Sequence, residues 1–172
     1  YYLYPLILIL SIVGYDSLFK FFKNIRLKII LSSLIIVNLI YIIFWNYNNH
    51  PHQQVYFNII TKYYDKRNFD LDYWGLSNLY SLKYILNNNN NNIPLKIGTV
   101  SFSALKPSTL MLDEISKEKI FLVGDLNNAD FLITNYMKRF RKNFPINEKK
   151  YVKYFEIVVD ETPINTVYKK IK

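Results

Sequence analysis

The chain has 172 residues, 51% of them hydrophobic, and its 22 Lys and Arg outnumber 13 Asp and Glu to give a net charge of +9. That length holds one domain of about 100–150 residues with a short appendage, and excludes two. With no cysteine, a disulfide framework and a Cys-based zinc site are excluded as well. The hydrophobic residues crowd into the first third of the chain, so the average hides a partition. Scarce Gly, abundant Asn and Ile, and 16 Tyr read first as the bias of an AT-rich genome, which inflates apparent motifs.

Tyr1 to Tyr15, YYLYPLILILSIVGY, is apolar but short, as expected for the last part of a membrane span whose beginning is missing. Because the chain opens on Tyr1 inside a hydrophobic run, it is expected to be the tail of something longer. A signal peptide fits poorly: no basic region precedes the run, no small-residue cleavage site follows it, and a second apolar run comes at once. That second run, Ile29 to Trp45, has 17 residues without a charge and is predicted to be a transmembrane helix. Ser32, Ser33 and Asn38 are its polar side chains, open either to hydrogen bonds with a neighbouring helix or to simple toleration in lipid. Between the two runs, Asp16 to Lys28 carries Lys20, Lys23, Arg26 and Lys28, whereas no Lys or Arg follows the second run until Lys62. The positive-inside rule makes that loop cytoplasmic and places everything after Trp45 outside the cytoplasm. In a bacterium this is a multi-pass inner-membrane protein with a periplasmic C-terminal domain. From Ile29 onward, 18 Lys and Arg stand against 12 Asp and Glu, a net +6. Such a domain would rest on anionic lipid, so membrane lipid is the expected partner and nucleic acid, in the wrong compartment, is not.

The junction after the second run is rich in aromatic residues with polar tips. Trp45, Tyr47, Tyr56, Tyr63 and Tyr64 read first as a belt at the headgroup level. His50 and His52 are two apart, on one face only of an extended segment, and no third ligand is nearby, so no metal site is expected. Leu76 to Leu86 has near-helical spacing of apolar residues, with Asp72 and Gly75 framing its start. Asp72 or Ser77 as the helix cap is one reading. The other is a sugar site: Asp70 and Asp72 accept hydrogen bonds from hydroxyls while Tyr73 and the Trp74 indole cover the apolar face of a pyranose.

Six asparagines, Asn87 to Asn92, cannot bury apolar area and predict a solvated joint. Beyond them Leu95 to Phe102, Lys119 to Val123, Phe131 to Thr134, Tyr154 to Val159 and Thr166 to Ile171 are short β-branched or aromatic runs that predict strands. Pro107 to Ser116 predicts a helix between the first two, and Asp160 to Asn165, with Pro163 inside, predicts the loop of a final hairpin. Gly98 has no glycine partners of the dinucleotide-binding pattern, which excludes that fold. Lys138, Arg139, Arg141 and Lys142 form one dense basic cluster, either a solvated loop or a contact for lipid phosphate. The expected class is α/β: two N-terminal transmembrane helices, then a small exoplasmic domain with a short mixed sheet and flanking helices. The expected divisions are 1–47, a truncated transmembrane hairpin; 48–92, a membrane-exit segment and helix; and 93–172, the small α/β domain.

The run His50-Pro51-His52-Gln53-Gln54-Val55-Tyr56-Phe57-Asn58, followed by Asp72-Tyr73-Trp74-Gly75-Leu76-Ser77, resembles the region after the last span of bacterial multi-spanning glycosyltransferases. These are the proteins similar to protein O-mannosyltransferases and the lipid A aminoarabinose transferase. Ala129 to Tyr136, Phe155 to Asp160, Pro163-Ile164 and Val167 to Lys170 resemble the C-terminal domain of the same proteins. The chain departs from the pattern at His52, where an aromatic is expected, and near Glu161, where a glycine is expected. The resemblance implies an enzyme that takes a sugar from a polyprenyl-phosphate carrier to an acceptor at the outer membrane face. It implies no cofactor in this stretch, and a catalytic acid in an early exoplasmic loop that these residues do not include. Catalytic residues are therefore none here. His50, Gln53, Tyr56 and Asn58 join Asp72, Tyr73 and Trp74 as candidate substrate contacts. The alternative is a membrane-tethered periplasmic binding or scaffold domain without enzymatic activity.

Overall fold

The computed structural model describes residues 3–57, 68–89, 93–102, 104–137 and 146–171. The chain divides into two compact units, Tyr1–Asn48 and Asn49–Lys172.

The first unit is a pair of helices, α1 (Leu3–Phe21) and α2 (Ile25–Asn48). Among the described residues only α2 is long and apolar enough to cross a membrane, where the sequence led to an expectation of two. The reason is length between charges. Leu3 to Tyr15 rises about 20 Å, short of a ~30 Å hydrocarbon core, before Asp16 and Lys20 intervene as an exposed ion pair at 2.6 Å. The 24 residues of α2 rise ~36 Å, and the helix gains over the predicted Ile29 to Trp45 at both ends. At its start the Asn24 side chain accepts the Arg26 N–H at 2.9 Å, an N-cap that lets the charged first turn be helical. The expected loop from Asp16 to Lys28 is thus mostly helix, and only Phe22 to Asn24 connect the two. Lys23 lies in this break, and Lys20, Arg26 and Lys28 flank it. Ser32 does meet the neighbouring helix, its hydroxyl 2.9 Å from that of Tyr15, and Lys28 lies 4.6 Å from the Phe19 ring centroid.

The second unit carries a 3-10 turn at Gln53–Val55, then α3 (Leu76–Asn87), β1 (Leu95–Thr99), α4 (Lys106–Leu110), α5 (Glu114–Glu118) and β2 (Ile120–Leu122). A second 3-10 turn at Leu126–Asn128, β3 (Phe131–Thr134), β4 (Tyr151–Val159) and β5 (Thr162–Lys170) complete it. The five strands form one sheet in the order β2-β1-β3-β5-β4, parallel across β2, β1 and β3 and antiparallel across β3, β5 and β4. Alternation divides the strand residues between two faces. Leu95, Ile97, Phe131, Ile133 and Val167 meet Leu79, Leu82 and Ile85 of α3, together with Leu105 and Leu112. On the other face Leu132, Ala129, Val100 and Tyr151 gather under Leu126. Gly98 belongs there because a Cβ would come within 3.2 Å of Leu126 and Leu132, so its role is close packing. A bulge between Lys153 and Phe155 turns the successive rings of Tyr154 and Phe155 toward α3, where Phe155 stacks on Tyr84 at 3.8 Å. Helix α3 therefore belongs to the same body as the sheet.

Two predicted elements differ. The helix expected over Pro107 to Ser116 is broken at Met111 to Asp113 into α4 and α5, because the Asp113 side chain accepts the Ser116 N–H and starts a new helix. The hairpin loop is only Asp160-Glu161, both left-handed with φ of 47° and 61°, which matches the primed turns that fit strand twist. No glycine is used. Pro163 lies within β5, tolerated where β5 extends past the end of β3 and beside a register shift after Ile157.

Candidate functional site

In an open α/β sheet, ligands gather at the carboxyl ends of the parallel strands, where successive connections leave in opposite directions. Here β1 leads outward to β2 on one side and β3 leads toward β5 and β4 on the other, so the switch point lies between β1 and β3. The residues just beyond these strands are Val100 to Phe102 and Asn135 to Met137, held together by the Phe102 N–H donating to the Met137 carbonyl at 2.9 Å. Tyr136 has φ of 58°, a conformation uncommon for a bulky residue and one that clusters at functional positions.

Asp72 is brought to this point from a distant part of the chain. The Asn135 side-chain amide donates to the Asp72 carbonyl at 2.8 Å. The Asp72 carboxylate accepts the backbone N–H of Leu76 at 3.0 Å and of Ser77 at 3.2 Å, and a short hydrogen bond from the Ser77 hydroxyl. It satisfies the first two N–H groups of α3 across a turn whose N-cap residue is Gly75, at φ 69°. Beneath it the Asn165 amide donates to Ser77 Oγ and Asn78 Oδ1 at 2.8 and 2.9 Å and accepts from Ser81 at 2.7 Å. The carboxyl group is 1% exposed, and burial pushes its pKa up against the opposing pull of the Ser77, Asn135 and Leu76 hydrogen bonds.

The aromatic neighbours face the other way. Tyr73 is 56% and Trp74 80% exposed, with their rings edge to face at 5.1 Å. Of the two carboxylates in the segment, Asp70 is the exposed one and Asp72 is turned inward. His50 is exposed and its ring nitrogen lies 2.6 Å from the Gln53 amide. Tyr56 is half-buried, and its N–H donates to the Gln53 carbonyl at 3.1 Å. Trp45 is buried and Tyr47 exposed. Asn58, Tyr63, Tyr64, Lys138, Arg139, Arg141 and Lys142 lie outside the described residues.

His52, passed over as a substrate contact in the sequence, is buried with its ring edge-on to Tyr80 at 5.5 Å. It fills the place where the resemblance expects an aromatic. Its Nδ1 is buried without a hydrogen-bond partner, the one such side-chain atom among the described residues. Burial pulls its pKa down, Asp72 pulls it up more weakly, and His50 adds to the lowering. Asn135 and Asn165 were also passed over, although Asn135 stands inside the run that carries the resemblance. Among the described residues no three His, Asp or Glu side chains are grouped to hold a metal ion. What the arrangement offers is a buried polar frame that fixes an exposed indole, phenol and carboxylate at the mouth of the sheet. No family model, curated protein or solved structure matches the chain.

Proposed function

We propose that this chain is the C-terminal, non-catalytic part of a membrane glycosyltransferase that moves a sugar from a polyprenyl-phosphate carrier to an acceptor at the outer face of a bacterial inner membrane. The observation that carries the reading is convergence. Two of the segments on which the resemblance rests are far apart in sequence, yet Asp72 bonds Asn135 across 63 positions. In this reading Tyr73, Trp74 and Asp70 face the sugar, and Asp72 is a positioning residue that holds them. The cations in and around the break between α1 and α2 support a cytoplasmic break and a periplasmic second unit.

A tethered binding or scaffold domain is the rival, favoured by the Asp72 carboxylate being taken up by its own helix. Transfer assays on the complete protein separate the two. Trp74→Phe is expected to lower turnover about tenfold at unchanged melting temperature, the mark of a contact made in the transition state. Asp72→Asn is expected to lower turnover only in step with folded protein. Unaltered turnover per folded molecule in Trp74→Phe would remove the sugar contact, and an absence of transfer by the complete protein would leave the scaffold.

A further inference from the structure

At the opposite end of the sheet from the Asp72 site, a cavity of about 540 Å³ opens beside the first residues of β1 and β3. Its size lies within the range of small-molecule pockets. Leu95 and Phe131, both buried, form its floor, and Ile93 and Ile171 form exposed walls. The charged groups are Asp130, Lys169 and Lys170, a net +1.

Lys169 is the informative one. It pairs directly opposite Phe131 in the β3–β5 ladder, and its ammonium lies 5.6 Å from the Phe131 ring centroid and 5.0 Å from that of Tyr154. These rings fix a side chain that otherwise carries high rotamer entropy. The ammonium has three donors, and among the described residues its one hydrogen bond is a long one, 3.4 Å, to the neutral Asn89 amide. No carboxylate among the described residues pairs with it. Lys170, by contrast, donates to the Asn127 carbonyl at 2.8 Å, and one Asp130 oxygen accepts the Lys96 N–H at 2.9 Å. The carbonyl end of α3 lies close by and would repel an anion, but the side-chain amides of Asn88 and Asn89 donate to the Tyr84 and Ile85 carbonyls there.

We propose that this cavity binds a small amphipathic oxyanion, its charged group on Lys169 and its apolar remainder over Leu95, Phe131 and Ile93. The reading does not depend on the glycosyltransferase proposal. A phosphate ester satisfies this chemistry whether it comes as a soluble metabolite or as a lipid headgroup.

The test is calorimetric titration of the full chain, in nanodiscs of phosphatidylcholine, with phenyl phosphate. Saturable binding is expected, weakened about tenfold in Lys169→Gln, a loss typical of one charge-assisted contact. Ile171→Glu, at an exposed wall, is expected to weaken it as well, while both variants keep the parent's circular dichroism. Phenol should bind more weakly than phenyl phosphate by a similar factor. Competition when phosphatidic acid is added to the nanodiscs supports the site with lipid as its source, and undiminished binding supports it with a soluble source. No saturable binding, equal binding by Lys169→Gln, or equal binding of phenol would overturn the proposal.

Discussion

Leu39 of α2 and Leu82 of α3 are the same residue in the same kind of element, yet Leu39 is 53% exposed and Leu82 is fully buried. The contrast extends along both helices. In α3 the apolar residues Leu79, Leu82 and Ile85 recur on one face, and Tyr80 and Lys83 point away. In α2 the exposed residues Leu34, Ile35, Ile36, Val37, Leu39 and Ile40 are spread around the whole helix. A helix with one apolar stripe is completed by a sheet, whereas one apolar all round suits apolar surroundings on every side, whether lipid or other protein. The two regions obey one rule and differ in what surrounds them.

Five substitutions test this contrast, the largest effect first. Phe131→Ala, which empties the centre of the β-sheet core, is expected to cost about 3–5 kcal/mol of second-unit stability in urea denaturation, with Leu39→Ala costing the same unit nothing measurable. Comparable losses from both would erase the distinction between the regions. Ile36→Lys, in the middle of α2, is expected to penalise membrane insertion by ~2.5–3.5 kcal/mol, read as the inserted fraction in a translocation assay. An unchanged fraction would mean that α2 is not a span.

Asp72→Ala removes the cap of α3 and strands the Ser77 hydroxyl, at an expected cost of about 1–3 kcal/mol. Amide hydrogen exchange at Leu76 and Ser77 should accelerate locally. If exchange accelerates across the whole sheet instead, the cap is coupled to the core and the site is no separate layer.

The smallest effect is a pH dependence. Burial lowers the folded-state pKa of His52 below 6.5, so as pH falls through that value the unfolded chain takes up the proton first and stability declines. Asp72 acts in the opposite sense. Its folded-state pKa is raised above 3.8, so it disfavours the folded state at neutral pH and that cost is relieved as pH falls. His52→Tyr isolates the first contribution, and its melting temperature should decline less than the parent's between pH 7.5 and pH 5.5, by calorimetry. Parallel curves would show that His52 does not titrate differently in the folded chain.

Much of the second unit was legible because strand residues alternate: Leu95 and Ile97, or Phe131 and Ile133, announce the face they bury. The turn Asp160-Glu161 was not, since Glu161 is not a residue that the left-handed conformation favours and Pro163 draws the eye away from the strand. The start of β4 at Tyr151, three residues earlier than expected, hid behind Lys149, Lys150 and Lys153. The first helix misled for another reason: hydrophobic content is local, but whether it spans depends on where Asp16 and Lys20 interrupt it. At the candidate site, capping by Asp72 was one of two visible readings because its partners are four and five residues away. Its ties to Asn135, and those of Asn165 to Ser77, cross 63 and 88 positions and leave no trace in any window of sequence.

The two asparagines that close α3 have a bearing on how this sequence can drift. Asn88 and Asn89 already satisfy the carbonyls of Tyr84 and Ile85, so a homopolymeric tract that gains codons between Asn89 and Ile93 lengthens the connection to β1 and leaves the helix as it is. Loop-closure entropy rises slowly, by only about 0.6 kcal/mol for each doubling of a connection. The run of asparagines thus begins at a helix end whose last carbonyls its own first residues satisfy, so added length beyond Asn89 costs α3 nothing.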